Sequence, residues 1–151
     1  MAVFQANDLL TKPRHMGQYG DAVVASGVVQ PTAAAANDVF RPCIIPAGTE
    51  VNAIILANDD LDASGTPALA FKMGFSPVNA SEGSLAADST YFAAAGDTTF
   101  QSANNGKVYA RFAPIKFEQD VFLDITVTAA AATFASGKIY ASVLGTGKGV
   151  K

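Results

Sequence analysis

Asp120-Val121-Phe122-Leu123-Asp124-Ile125-Thr126-Val127-Thr128 reads with a period of two. Val121, Leu123, Ile125 and Val127 fall on one side, and Phe122, Asp124, Thr126 and Thr128 on the other. Side chains alternate across a β-strand, so this text predicts a strand with one face on a core and a wetter face opposite. Downstream, Ala129 to Phe134 is an alanine-rich connection, and Ser136-Gly137 turns into Lys138 to Leu144. There Ile139, Ala141 and Val143 alternate with Lys138, Tyr140 and Ser142.

Working upstream, the same grammar repeats. Asn104-Asn105-Gly106 is a turn signal before Lys107 to Ala113, where Val108, Ala110 and Phe112 share a face. Ala68 to Phe75 sets Leu69, Phe71, Met73 and Phe75 against Ala70, Lys72 and Gly74. In Glu50 to Ala57, Val51, Ala53, Ile55 and Ala57 share one face and Ile54 and Leu56 the other, which predicts a strand covered on both sides. Val39 to Ile45 is a further strand, and Pro42 within it suggests an edge or bulge. Ala22 to Val29 supplies Val23, Val24, Val28 and Val29 before Gln30-Pro31-Thr32 interrupts. One segment breaks the pattern: Asp88-Ser89-Thr90-Tyr91-Phe92-Ala93-Ala94-Ala95-Gly96 predicts a short helix, capped by Asp88 and ended by Gly96.

Together these give an all-β fold, an antiparallel β-sandwich or jelly roll of about eight strands with one short helix. No long amphipathic helix is present to cover a parallel sheet, and no internal repeat is visible. Residues 1–20 hold Pro13, Gly17 and Gly20 with no sustained period and read as an extended N-terminal arm. Its apolar members Val3, Phe4, Leu9, Leu10, Met16 and Tyr19 are the candidate partner contacts. Residues 21–151 form the single β-sandwich domain, which suits a chain of 151 residues.

Composition narrows the function. Charged residues are only 15% against an average of about 25%, so part of the exterior is expected to be covered by other subunits. Net charge is -3 with no basic run, which disfavours nucleic acid and a polybasic membrane contact. No stretch reaches the roughly 18 apolar residues of a membrane helix, and the first residues do not read as a signal peptide. A single cysteine, Cys43, forbids an intrachain disulfide and reads as a buried small hydrophobe.

Chemistry is hard to place. The one histidine, His15, sits in the arm, away from any positioned nucleophile. Gly145-Thr146-Gly147-Lys148-Gly149 is glycine-rich, but no helix follows it to hold a phosphate. Glu50, Glu82 and Glu118 are scattered, and no Trp offers a sugar platform. Asp59, Asp60 and Asp62 are the candidate metal ligands, since clustered carboxylates can hold Ca²⁺. They do not follow the EF-hand pattern, and Asp and Asn also build turns by bonding their own backbone, so the turn is the first reading. No catalytic residue and no cofactor is expected, and the chain is read as a non-enzyme.

Several stretches resemble small structural proteins of tailed-phage heads. They are Ile45-Pro46-Ala47-Gly48-Thr49-Glu50-Val51, Asn58-Asp59-Asp60-Leu61-Asp62, Leu69-Ala70-Phe71-Lys72-Met73-Gly74-Phe75, Asp88 to Ala95 and Asp124 to Tyr140. These are strand and turn text, spread over residues 45–144. The resemblance implies a jelly-roll-like decoration or cement protein, a virion component on the outer capsid surface, assembled in the host cytoplasm. Its implied partners are the major capsid protein and further copies of itself, as a dimer or trimer. It covers none of residues 1–20, and no functional residue is carried over from it. Two other readings stand beside it: another virion component, such as a head-fibre base or tail protein, and a carbohydrate-binding jelly-roll module using Asp59, Asp60 and Asp62 with Ca²⁺.

Overall fold

The computed structural model describes residues 1–6, 22–80 and 85–150, with Val23 and Val24 described by backbone alone. Among the described residues there are eleven strand segments: β1 (Val3–Gln5), β2 (Ala22–Val29), β3 (Val39–Arg41), β4 (Ile44–Ile45), β5 (Thr49–Asn58), β6 (Ala70–Pro77), β7 (Asp88–Asp97), β8 (Asn104–Tyr109), β9 (Ile115–Lys116), β10 (Val121–Ala129) and β11 (Ile139–Gly147). The strand pairs β3 with β4, on β10, and β8 with β9, on β5, each act as one interrupted strand. Pro42 accounts for the first break, since it cannot donate to a ladder.

Setting β1 aside and counting each interrupted pair once leaves eight principal strands, as the sequence text suggests. The first pairs with the eighth (β2·β11), the second with the seventh (β3/β4·β10), the third with the sixth (β5·β8/β9) and the fourth with the fifth (β6·β7). The chain is thus a long hairpin whose successive pairs go alternately to two sheets. One sheet runs β1-β3-β10-β6-β7 and the other β2-β11-β5-β8. This is the double-sheet jelly roll.

The inward faces meet as one core. Phe40, Ile54, Leu56, Phe71, Met73, Leu123, Ile125 and Ile139 are all fully covered. Val121, Leu123, Ile125 and Val127 of β10 face inward as their alternation requires. Phe71 and Phe100 stack with centroids 4.2 Å apart, and Phe75 meets the edge of Phe117 at 4.8 Å. Rings in these offset and edge-on geometries add to the area term that drives burial. Cys43 is buried among these residues.

The expected Asn104-Asn105-Gly106 turn opens β8 itself, which ends at Tyr109 rather than Ala113 and turns Val108 outward; three larger expectations also need correction. Asp88–Asp97 is a strand rather than a helix, pairing Asp88 with Phe75, Ala93 with Met73 and Asp97 with Phe71. Its ten residues face only the five from Phe71 to Phe75, so the strand bulges repeatedly and loses the alternation that would have marked it. Three alanines cannot hold a nine-residue helix against sheet hydrogen bonds and the β-favouring Thr90-Tyr91-Phe92. Asp88 accepts the Thr90 amide at 2.8 Å, a local turn contact and not a helix cap. Gly74 makes room for this edge, because a Cβ there would lie 1.9 Å from the Asp88 carbonyl oxygen.

The second correction is in β5. Its partner register passes from Ala53↔Leu144 to Val51↔Gly145, leaving Asn52 as an extra residue. This bulge turns Val51 to the inside with Ile54 and Leu56, while Ala53, Ile55 and Ala57 stay on the outer face. The third concerns the N-terminus. Val3–Gln5 is a strand that pairs parallel with Val39–Arg41, on a sheet otherwise antiparallel. The rest of the expected arm, from residue 7 on, lies outside the described residues.

Candidate functional site

Three polar clusters interrupt the apolar build, and each could in principle be a site. The first is the acidic loop after β5. Asp62 is 1% exposed. Its Oδ2 accepts the amides of Ala68 at 2.8 Å, Leu69 at 3.0 Å and Ala132 at 3.0 Å, and its Oδ1 accepts that of Thr133 at 2.9 Å. Burial raises the carboxyl pKa, but the four amides outweigh it and hold the group far below the usual carboxylate range. Asp60 accepts the Asp62 amide at 2.9 Å, and Asp59 accepts the Lys138 amide at 2.8 Å. The loop therefore uses its carboxylates to pin residues 62–69 to residues 130–138 at one end of the sandwich. This is the turn chemistry expected of Asp, extended across two loops. Among the described residues, no three His, Cys, Asp or Glu side chains stand together as a metal cluster.

The second cluster closes one open side. Asp97, at the end of β7, accepts the Lys107 ammonium at 2.8 Å and the Tyr109 hydroxyl at 3.0 Å through Oδ2. Its Oδ1 takes the Thr99 amide and hydroxyl. Burial raises the Asp97 pKa, while Lys107, Thr99 and Tyr109 together bring it below its ordinary value. Burial pushes the Tyr109 phenol up, and the neighbouring Asp97 charge adds to this. A carboxylate, an ammonium and a phenol locked on one another form a strap between β7 of one sheet and β8 of the other.

The third lies on the outer face of the β10 sheet. Arg41 Nε meets Asp124 Oδ1 at 2.7 Å, Ser76 donates to Asp124 Oδ2 at 2.5 Å, and the guanidinium lies 4.4 Å from the Phe122 ring centroid. Beside it Ala6, Ile44 and Phe122 form a small buried cluster with Val78. The arm's first residues are tied here. The Ala2 amide donates to the buried Asp38 carboxylate at 2.7 Å, and the Phe4 ring packs 5.8 Å from Phe40.

The candidate contacts Val3 and Phe4 thus part company: Val3 is exposed, whereas Phe4 packs on the core. Leu9, Leu10, Met16, Tyr19 and His15 lie outside the described residues. Sequence reading passed over the outer face of the β2-β11-β5-β8 sheet, where Val28, Tyr140, Leu144 and Val108 are exposed. The available signal was the lack of any charge from Ala22 to Val29 and from Ile139 to Gly147.

No protein-family model matches this chain, and no curated protein sequence does so. Solved structures do. A chain in the capsid of Ralstonia phage GP4 is 23% identical with a TM-score of 0.77, over 99% of this chain and 100% of that one. A chain of the cyanophage Pam1 capsid asymmetric unit is 25% identical with a TM-score of 0.64, over 91% of each. A chain of the acidic stable capsid of the Helicobacter pylori bacteriophage KHP30 is 16% identical with a TM-score of 0.57, over 89% of this chain and 94% of that one. The jelly roll described above is a fold these phage capsids contain, and in each the matched chain is spanned nearly end to end.

Proposed function

We propose that this chain is a structural protein of a phage virion, and more narrowly a decoration or cement protein that binds the outside of the head and braces the shell of the major capsid protein. One observation carries this reading. The fold is shared along 91–100% of three separate chains from phage capsids, so each matched chain is a sandwich of this size and not a larger protein containing one. The polar clusters agree with it. Each joins loops, edges or strands of the sandwich itself, and the hydroxyls that meet carboxylates, Ser76 on Asp124 and Thr99 on Asp97, belong to these structural contacts. In this reading the chain performs no reaction. A ligand that binds only the assembled shell stabilises that shell by mass action, so binding is the whole of the function.

Heads lacking the protein supply the test. Adding purified protein should restore it to the particles and raise the temperature at which they release DNA, while free capsid subunits take none up. Heads that never bind it, or bind it with no gain in stability, would sink the bracing role. Immunogold label confined to the tail would move the protein elsewhere in the virion.

A further inference from the structure

Asn105-Gly106 is the one place in the chain where glycine follows asparagine. Such a pair commonly turns a hairpin. Here it joins no two strands. Both residues lie inside β8, at the edge of its sheet. Register passes from Leu56↔Lys107 to Asn58↔Asn104, so Asn105 and Gly106 together face the single residue Ala57. That is a bulge, and it interrupts the regular pleat at this point. Gly106 takes a φ of 144°, a conformation that favours glycine. Its amide donates to Asn104 Oδ1 at 2.8 Å. Asn105 and Gly106 are both exposed. Among the described residues, none hydrogen-bonds the Asn105 carboxamide.

The other asparagines lack this combination. Asn52 donates to Thr146 Oγ1 at 3.2 Å. Asn58 is buried, and its amide donates to the carbonyls of Asp59 and Ser102. Asn7, Asn37 and Asn79 each precede a residue with a Cβ, which crowds the following nitrogen.

We infer that Asn105 is a site of slow, uncatalysed modification, in which its carboxamide condenses with the Gly106 nitrogen and ends as a carboxylate. Water is the sole co-reactant. The Gly106 nitrogen gives its proton to solvent and bonds to Asn105 Cγ. The Cγ–Nδ2 bond breaks, and Nδ2 takes up a proton and leaves as ammonia. A five-membered succinimide remains, and water opens it. Attack at Cγ breaks the new bond and yields aspartate. Attack at the main-chain carbonyl carbon breaks the original peptide bond and routes the chain through Cγ, which yields isoaspartate. Nothing is oxidised or reduced.

The local structure favours ring closure. Both reacting groups belong to one short segment, so they meet as an intramolecular pair once the backbone turns. A regular ladder would resist that turn. At a bulge the extra residue is unpaired, and on an edge strand one side carries no neighbour at all, so little is broken by it. Each event adds one negative charge to a formal net charge of -3. The adjacent cation, Lys107, is already paired with Asp97 at 2.8 Å and does not offset it. Isoaspartate lengthens the backbone by one atom where β8 already carries an extra residue, so the sandwich keeps its fold. This chemistry belongs to the chain alone and stands apart from the virion reading.

Storage of the folded chain in warm, mildly alkaline buffer, followed by peptide mapping with mass spectrometry, tests it. The mass gain of a carboxamide turned carboxylate should appear at Asn105 before any other asparagine, as a mixture of aspartate and isoaspartate. A more acidic species should grow in on ion exchange in step with it. Asn105→Gln, whose ring would need one more atom, should slow the change at that position at least about tenfold and suppress the acidic species. A synthetic peptide of residues 101–111 serves as the unrestrained control. A folded chain that stays unmodified while the peptide reacts overturns the inference, because β8 then holds the two groups apart. So does a first gain at another asparagine, or aspartate without isoaspartate, which direct hydrolysis would give. Failure of the head-binding test would not alter any of these outcomes.

Discussion

Replacing Asp62 by alanine removes the acceptor for four backbone amides at once. Leu69 is fully buried, so its amide is left without water, at about 1–3 kcal/mol. Ala68, Ala132 and Thr133 are exposed residues whose amides can recover water, so each loses only the net value of its bond, about 0.5–1.5 kcal/mol. The sum is about 5 kcal/mol, a large share of the ~5–15 kcal/mol of an ordinary domain. It corresponds to a fall in Tm of roughly 10–20 °C for a chain of this size. Asp62→Asn keeps one acceptor oxygen. Placed at the Oδ2 position it retains three of the four bonds and sets its own NH₂ against the Thr133 amide, for a cost of about 2 kcal/mol. The folded pKa is depressed below an ordinary value of 3.8, so the stabilisation is present above pH ~4 and lost as pH falls toward the folded pKa. In that range the unfolded chain takes up the proton first. Urea denaturation at pH 7 and pH 3 should therefore show the gap between wild type and Asp62→Asn narrowing in acid. A loss under about 1 kcal/mol for Asp62→Ala, or a gap that does not narrow in acid, would refute the clamp.

Two further outcomes follow from the same structure. Gly27→Ala should cost about 2 kcal/mol or more in urea denaturation, because its Cβ would fall 1.9 Å from the Pro42 carbonyl oxygen. Gly65→Ala, where nothing lies within 4 Å, should be neutral or mildly stabilising, and equal losses at the two positions would contradict the close approach of β2 to the Pro42 break. Millimolar CaCl₂ should leave the Tm unmoved, since Asp59, Asp60 and Asp62 already accept backbone amides. A rise that tracks calcium concentration would reassign the loop to a metal.

The jelly roll was legible where strands are regular and half-buried. β10 and β11 keep the alternation their sequences show, because each pairs on both sides with little interruption. Legibility failed where a bulge intervenes. In β5 the single extra residue Asn52 moves Val51 to the core, a shift no reading of one strand can find because it is set by the register with β11. In β7 several extra residues erase the period altogether, and the alanines left behind read as helix. The acidic loop was legible as turn chemistry but not as a clamp, since two of its four amides come from residues about 70 positions away. Partner surfaces were sought in the arm because apolar residues there looked unplaced, yet Phe4 proved to be packed on the core. The uncharged face of the other sheet is assembled from four strands that are distant in sequence, so it becomes visible only once register joins Val28, Tyr140, Ile55 and Val108.

A jelly roll faces a particular physical problem, and the placement of buried charge here shows how it is met. Two sheets held by apolar packing alone can slide, since the hydrophobic term has no direction. Hydrogen bonds to ionised groups are directional and stronger than neutral ones. Asp62 fixes one end, Asp97 straps β7 to β8, and Asp38 and Asp124 fix the β3 side. All four act within the chain, which limits what they can offer a substrate or a partner. The outer faces are what remains for recognition. On the β10 sheet, Arg41 and Asp124 already satisfy each other, so a partner docking there would have to cover or break a formed ion pair, a costly step once water is excluded. The β11 sheet asks for no such exchange: burying Val28, Tyr140, Leu144 and Val108 removes apolar surface from water and leaves no charge stranded.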